Sequence, residues 1–119
     1  RLFGELTALE NVRLKNALTG YCSRKQVDEW FLRLGIDGKK NEKVNRMSFG
    51  QQQRVAFIRA LCQPFDFIFL DEPVSHLDDG NSRIMADMLK EEIGRRGIGV
   101  VVTSIGKHLP LEYDRILKL

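Results

Sequence analysis

No apolar run in these 119 residues approaches the roughly 18 that a membrane-spanning helix requires, and no basic-then-apolar leader opens the chain. Both absences predict a soluble protein. Cysteine is scarce. Cys22 and Cys62 stand far apart, with no Cys/His pair near either to complete a metal site, which predicts reduced, structural thiols in a cytoplasmic protein. An excess of one charge is nearly missing too: nineteen Lys and Arg against sixteen Asp and Glu leave +3, too little for a strongly charged nucleic-acid-binding surface. There are no internal repeats. The first residue is Arg1 and the last, Leu119, ends an apolar segment without a polar tail, so a piece of a longer protein is expected. What is present, 43% hydrophobic and 29% charged residues, predicts one domain with an adequate core.

Thr7 with Glu10 forms a capping box that starts a helix running to about Leu18. Ser23 with Gln26 repeats it, and Val27, Trp30, Phe31 and Leu34 then share one helical face before Gly35. That aromatic stripe predicts core. Residues 35–46 are polar, basic and glycine-containing, which predicts an exposed connection. Ser48 with Gln51 caps a third helix, in which Val55, Ile58, Leu61 and Cys62 share a face and Gln52, Arg54 and Arg59 lie away from it. Pro64 closes that segment. Phe67 to Leu70 is wholly apolar, as in a parallel strand buried on both faces, and ends in Asp71, Glu72 and Pro73. Ile84, Met85, Met88, Leu89 and Ile93 recur at helical intervals over about 79–95, with Arg95 and Arg96 at the negative end of the helix before Gly97. Gly99 to Thr103 predicts a second buried strand and residues 115–119 a third.

An apolar strand that delivers Asp71 and Glu72 at its carboxyl end places two carboxylates where parallel sheets hold ligands. Their side chains point different ways, so one suits Mg²⁺ and the other an attacking water, the division phosphoryl transfer needs. Upstream, Met47-Ser48-Phe49-Gly50-Gln51 followed by Arg54 is a helix start with a hydroxyl and backbone N–H groups facing outward, a good phosphate binder. Here the sequence resembles the ATP-binding cassette family, whose signature runs Leu-Ser-Gly-Gly-Gln and precedes a Walker B strand at this distance. Pro73, Ser75, His76, Leu77 and Asp78 resemble its post-Walker-B proline and D-loop. Residues 6–12 resemble the segment after its Q-loop, and within the family they look most like the small cassettes of lipoprotein release and related export.

The resemblance, which covers essentially all of the chain, implies an α/β fold. This is part of a P-loop NTPase, with a helical subdomain over 1–48 and the signature helix plus the C-terminal βαβ portion of the core sheet over 49–119. It implies ATP and Mg²⁺ as cofactors and a head-to-tail dimer with a second nucleotide-binding domain. A membrane permease would hold the protein peripherally on the inner face of the cell membrane, and no direct nucleic-acid contact is expected. Ser48, Phe49, Gly50 and Gln51 would face the partner's nucleotide, Asp71 support Mg²⁺, Glu72 polarise the attacking water, and Asp78 organise the dimer contact. Two other readings stand beside transport: a non-transport cassette acting on DNA, whose long coiled coil before the signature residues 35–46 do not match, and a degenerate, slowly hydrolysing regulatory cassette.

Three departures from the family pattern bear on this. No Gly-rich Walker A loop with its lysine occurs in the sequence. Phe49 stands where the family has glycine. Ser104 stands where it has the histidine that contacts the γ-phosphate; His108, four positions on, reads more simply as an exposed residue than as a replacement, and His76 lies inside the D-loop, at the dimer interface or in solvent. Without the phosphate loop the 119 residues alone are expected to bind little ATP and to be inactive. Without the strand that the family places between 99–103 and 115–119, the last strand is expected to be displaced, paired directly with 99–103 or used in self-association. Residues 5–62 should keep the family form more faithfully.

Overall fold

A computed structural model describes residues 2–20, 22–63, 67–71, 77–103, 110, 111 and 113. Pro64, Glu72, Pro73, Ser75, His76, Ser104, His108 and the strand expected over 115–119 lie outside the described residues.

Helix α1 spans Ala8–Thr19, and its capping box is made in full: the Glu10 N–H donates to Thr7 Oγ1 at 3.1 Å and the Thr7 N–H to Glu10 Oε1 at 2.9 Å. Those Thr7 bonds hold the Glu10 carboxyl below its ordinary 4.5. Helix α2, Arg24–Arg33, starts on Ser23, whose Oγ accepts from the Gln26 N–H at 3.1 Å; the Gln26 side chain makes no return bond. Val27, Trp30, Phe31 and Leu34 are all buried, as the stripe predicts. Burying side chains of this kind contributes about 1.5–3 kcal/mol each. Across the sheet-ward side, Arg33 forks onto Glu91 at 2.9 and 2.8 Å, which holds the Glu91 carboxyl below its ordinary range.

The run 35–46 is more than an exposed connection. It folds into two 3-10 turns, Asp37–Lys39 and Val44–Arg46, and drives Ile36 and Val44 into the core at 1% and 2% exposure. Backbone bonds tie it to the first turn of α1 and the strap before it: Ala8 N–H to Glu42 C=O at 3.0 Å, Leu9 N–H to Lys40 C=O at 2.9 Å and Val44 N–H to Leu6 C=O at 3.0 Å. Lys39 and Lys43 stay exposed and Lys40 pairs with Asp28 at 3.2 Å, while two isolated apolar residues plug the helical layer. Buried Asn11 secures the same strap. Its Oδ1 accepts from the Phe3 N–H at 2.7 Å, and its Nδ2 donates to the Phe3 and Thr7 carbonyls at 3.0 and 2.9 Å. Replacing Asn11 by Ala strips three partners from groups in or near the core. It should lower stability by about 1–3 kcal/mol, measured as a shift of the urea midpoint at constant slope.

Helix α3, Phe49–Leu61, packs on α1 and α2 and turns Val55, Phe57, Ile58 and Leu61 inward. Strand β1, Phe67–Asp71, follows, then α4, Asp79–Arg96, and β2, Gly99–Thr103. The strands pair in parallel, from Phe67 with Gly99 to Asp71 with Thr103, so the expected βαβ unit is formed. Met85, Met88 and Leu89 of α4 are buried, Ile84 and Ile93 partly so. Gly97 ends the helix at φ 68°, a left-handed turn that costs other residues about 1–2 kcal/mol, with its N–H on the Ile93 carbonyl.

Strand β2 departs from the expectation of burial. Val100 and Val102 pack against the core, whereas Val101 is 45% exposed and Thr103 is also exposed. Successive side chains point to opposite faces of a strand, so the face that carries Val101 and Thr103 is the more open of the two.

Candidate functional site

The site grows from the first turn of α3. Ser48 is its N-cap, and the reciprocal box is complete: the Gln51 N–H donates to Ser48 Oγ at 3.1 Å and the Ser48 N–H to Gln51 Oε1 at 3.0 Å. The box therefore engages two of the N–H groups that the sequence left facing outward. A hydroxyl that accepts one bond still has its own proton to donate, and Ser48 is exposed, so that donor remains available to an incoming anion. Beside it Phe49 is 69% exposed, while Gly50 is buried. The ring of Phe49 stands on the rim of a surface cleft of about 790 Å³, lined also by Leu2, Gly4, Val44, Ser48 and Gln52.

One turn further on, the helix is tied to its surroundings by polar side chains. Gln52 Nε2 donates to the Val44 and Met47 carbonyls, both at 3.0 Å, which fixes the 3-10 turn that leads into Ser48. Arg54 donates from Nε to the Gly50 carbonyl at 3.2 Å and from Nη1 to the Leu34 carbonyl at 3.0 Å. Burial pulls the Arg54 guanidinium below its ordinary value, and the negative charge of Asp78 opposes that pull. Asp78 is the N-cap of α4: its Oδ1 accepts from the Asn81 N–H at 2.7 Å, and its carbonyl accepts from the Ser82 hydroxyl at 2.9 Å. Arg54 thus ties the second turn of α3 to the end of α2, within the field of the Asp78 carboxylate.

Of the residues picked out in the sequence, Ser48, Phe49, Gly50 and Gln51 share one helical turn, and Asp78 caps α4. Asp71 ends β1 opposite Thr103, at the carboxyl edge of the parallel pair. Glu72 and Ser104, one residue beyond each, lie outside the described residues. Among the described residues no group of three or more His, Cys, Asp or Glu side chains is placed to hold a metal ion. Sequence reasoning set Gln52 and Arg54 aside as facing away from the core. The available signal was their place one turn after the cap, from which long donors reach the carbonyls of the preceding segment.

The ABC transporter family profile matches residues 1–75, and the chain belongs to that family. Over 99% of its length it is 32% identical to the macrolide export ATP-binding/permease protein MacB of Shewanella sp. (strain ANA-3). It is also 32% identical, over the same share, to the lipoprotein-releasing system ATP-binding protein LolD of Ruegeria pomeroyi. It spans 18% of the former and 53% of the latter. Among solved structures it resembles the dimeric cassette MJ0796 in a post-hydrolysis state bound to ADP and Pi, with a TM-score of 0.71 and 34% identity over 87% of this chain and 48% of that one. The fold is accordingly that of the ABC ATPase cassettes, which the sequence resemblance implied.

Proposed function

We propose that the full-length protein is the nucleotide-binding, ATP-hydrolysing subunit of an ABC transporter. It is cytoplasmic and held on the inner face of the membrane by a permease. Residues 1–48 act as the helical subdomain and 49–119 as the signature helix with the second half of the catalytic core. The observation that carries this reading is the exposed Ser48 hydroxyl, a donor with a free proton at the capped start of α3. Export and lipoprotein release, named for the relatives, and the dimeric ADP-bound cassette support transport and a paired site over action on DNA.

In this arrangement Ser48, Gly50 and Gln51 contact the terminal phosphate of ATP held by a second subunit, and Phe49 lies against it. Asp78 organises the contact between subunits. Asp71 fits Mg²⁺ by the chemistry of its oxygen donors and its place at the strand's carboxyl edge. When bound, Mg²⁺ offsets phosphate charge. Glu72 orients and deprotonates the attacking water.

The paired site makes a concentration-dependent expectation. ATP turnover per chain of the purified full-length protein should rise with protein concentration. Ser48→Ala should lower turnover about 10–100-fold, the loss of a hydrogen bond to a charged group, while leaving nucleotide affinity at high dilution unchanged. Turnover independent of concentration together with an intact Ser48→Ala enzyme would sink the assignment. Stimulation by DNA with no permease co-purifying would instead favour the DNA-acting reading.

A further inference from the structure

The two cysteines have no part in that reading, yet the fold brings them together. Cys22 lies just before α2 and is 8% exposed; Cys62 caps α3 and is fully buried. The Cys22 thiol donates to the Leu61 carbonyl at 3.7 Å, and the Cys62 thiol hydrogen-bonds to the Cys22 sulfur. Both backbones are held in place. The Asn16 amide donates to the Cys22 carbonyl at 2.6 Å and accepts from the Cys22 N–H at 2.9 Å. On the other side, Arg96 donates to the Leu61 carbonyl at 2.6 Å and to the Gln63 carbonyl at 3.0 Å.

We propose that Cys22 and Cys62 form an oxidisable dithiol, which a hydroperoxide converts to an intrachain disulfide that staples the α1–α2 turn to the end of α3. The hydrogen bond from Cys62 pulls the Cys22 thiol below its ordinary value of 9.0, with Arg96 and Arg95 adding to the pull. Burial and Glu92, which is paired with Arg96 at 2.9 Å, act against it. The same contact and burial push the Cys62 thiol up. Cys22, at 8% exposure, is the thiol that peroxide reaches, and fully buried Cys62 is the resolving thiol.

The Cys22 thiolate attacks the peroxide, breaking its O–O bond and forming an S–O bond, and the departing oxygen takes up a proton. Cys62 then gives up its proton and attacks the Cys22 sulfur. An S–S bond forms, the S–O bond breaks, and water leaves. The two thiols lose two electrons in all, and the peroxide gains them. A thiol beside a resolving partner is the arrangement that diverts a sulfenic acid from irreversible oxidation.

The test treats the full-length protein with hydrogen peroxide, alkylates free thiols under denaturing conditions and digests with trypsin without reduction. The expected product is a Cys22–Cys62 linked peptide pair, two hydrogens lighter than the separate peptides and split by dithiothreitol. In Cys62→Ala, dimedone should trap Cys22 as sulfenic acid; in Cys22→Ala, Cys62 should remain alkylatable. Both wild-type thiols alkylated after peroxide, or Cys22 joined to a different cysteine, overturns the proposal. The wild-type digest decides the matter even if a variant does not fold.

Discussion

Glu72→Gln in the full-length protein should keep ATP binding and lose ATP turnover. Glutamine preserves the size of the side chain and its capacity to bond a water, but it has no basic oxygen to take the water's proton. Removing a positioned general base costs about 10²–10⁴-fold in rate. Equilibrium nucleotide binding and steady-state phosphate release, measured on the same preparation, separate the two effects. Binding unchanged with phosphate release below a hundredth of wild type is the expected pair. Unchanged turnover would remove Glu72 from the role of base and leave Asp71, at the end of the paired strand, with both tasks.

Ser104→His should raise turnover. Ser104 follows Thr103, which ends β2 opposite Asp71. The family places at this point a histidine that contacts the γ-phosphate. A serine hydroxyl has shorter reach and carries no charge, whereas an imidazolium is a charged donor. One well-aimed donor of this kind is worth roughly 2.7–4 kcal/mol, or about 10²–10³ in rate. The gain should fall on kcat, with little change in KM, because the contact matters where charge develops. If the histidine variant matches the wild type, another group already fills the role, and His108 is the next residue to replace.

What could be read from the sequence was local. The Thr7–Glu10 and Ser48–Gln51 boxes involve residues three apart, so side-chain type and spacing alone specify them, and both form as read. The stripe of Val27, Trp30, Phe31 and Leu34 is legible for the same reason, since helical period decides which residues share a face. The resemblance carried by residues 47–51 and 67–72 reached the family. What stayed hidden depends on distant partners. Ile36 and Val44 sit in a polar run, and their burial follows from backbone pairing with residues 6–9, which no local pattern encodes. Asn11 and Arg54 read as ordinary polar helix residues until the carbonyls of Phe3 and Leu34 are placed beside them. The half-open face of β2 was likewise invisible, because an apolar run reports what a strand is able to bury and not what lies over it.

The two arginines that reach out from and into α3 give the helix a mechanical character. From its second turn Arg54 bonds the Leu34 carbonyl at the end of α2; at its end Arg96, from the last turn of α4, grips the carbonyls of Leu61 and Gln63. Arg33 and Glu91 add a third tie, from α2 to the middle of α4. Helix α3 is thus tied through Arg54 to the end of α2 and at its own end to α4. It cannot tilt without carrying α2 and α4 along or breaking those bonds, so this half of the protein is braced at α3 and not hinged there.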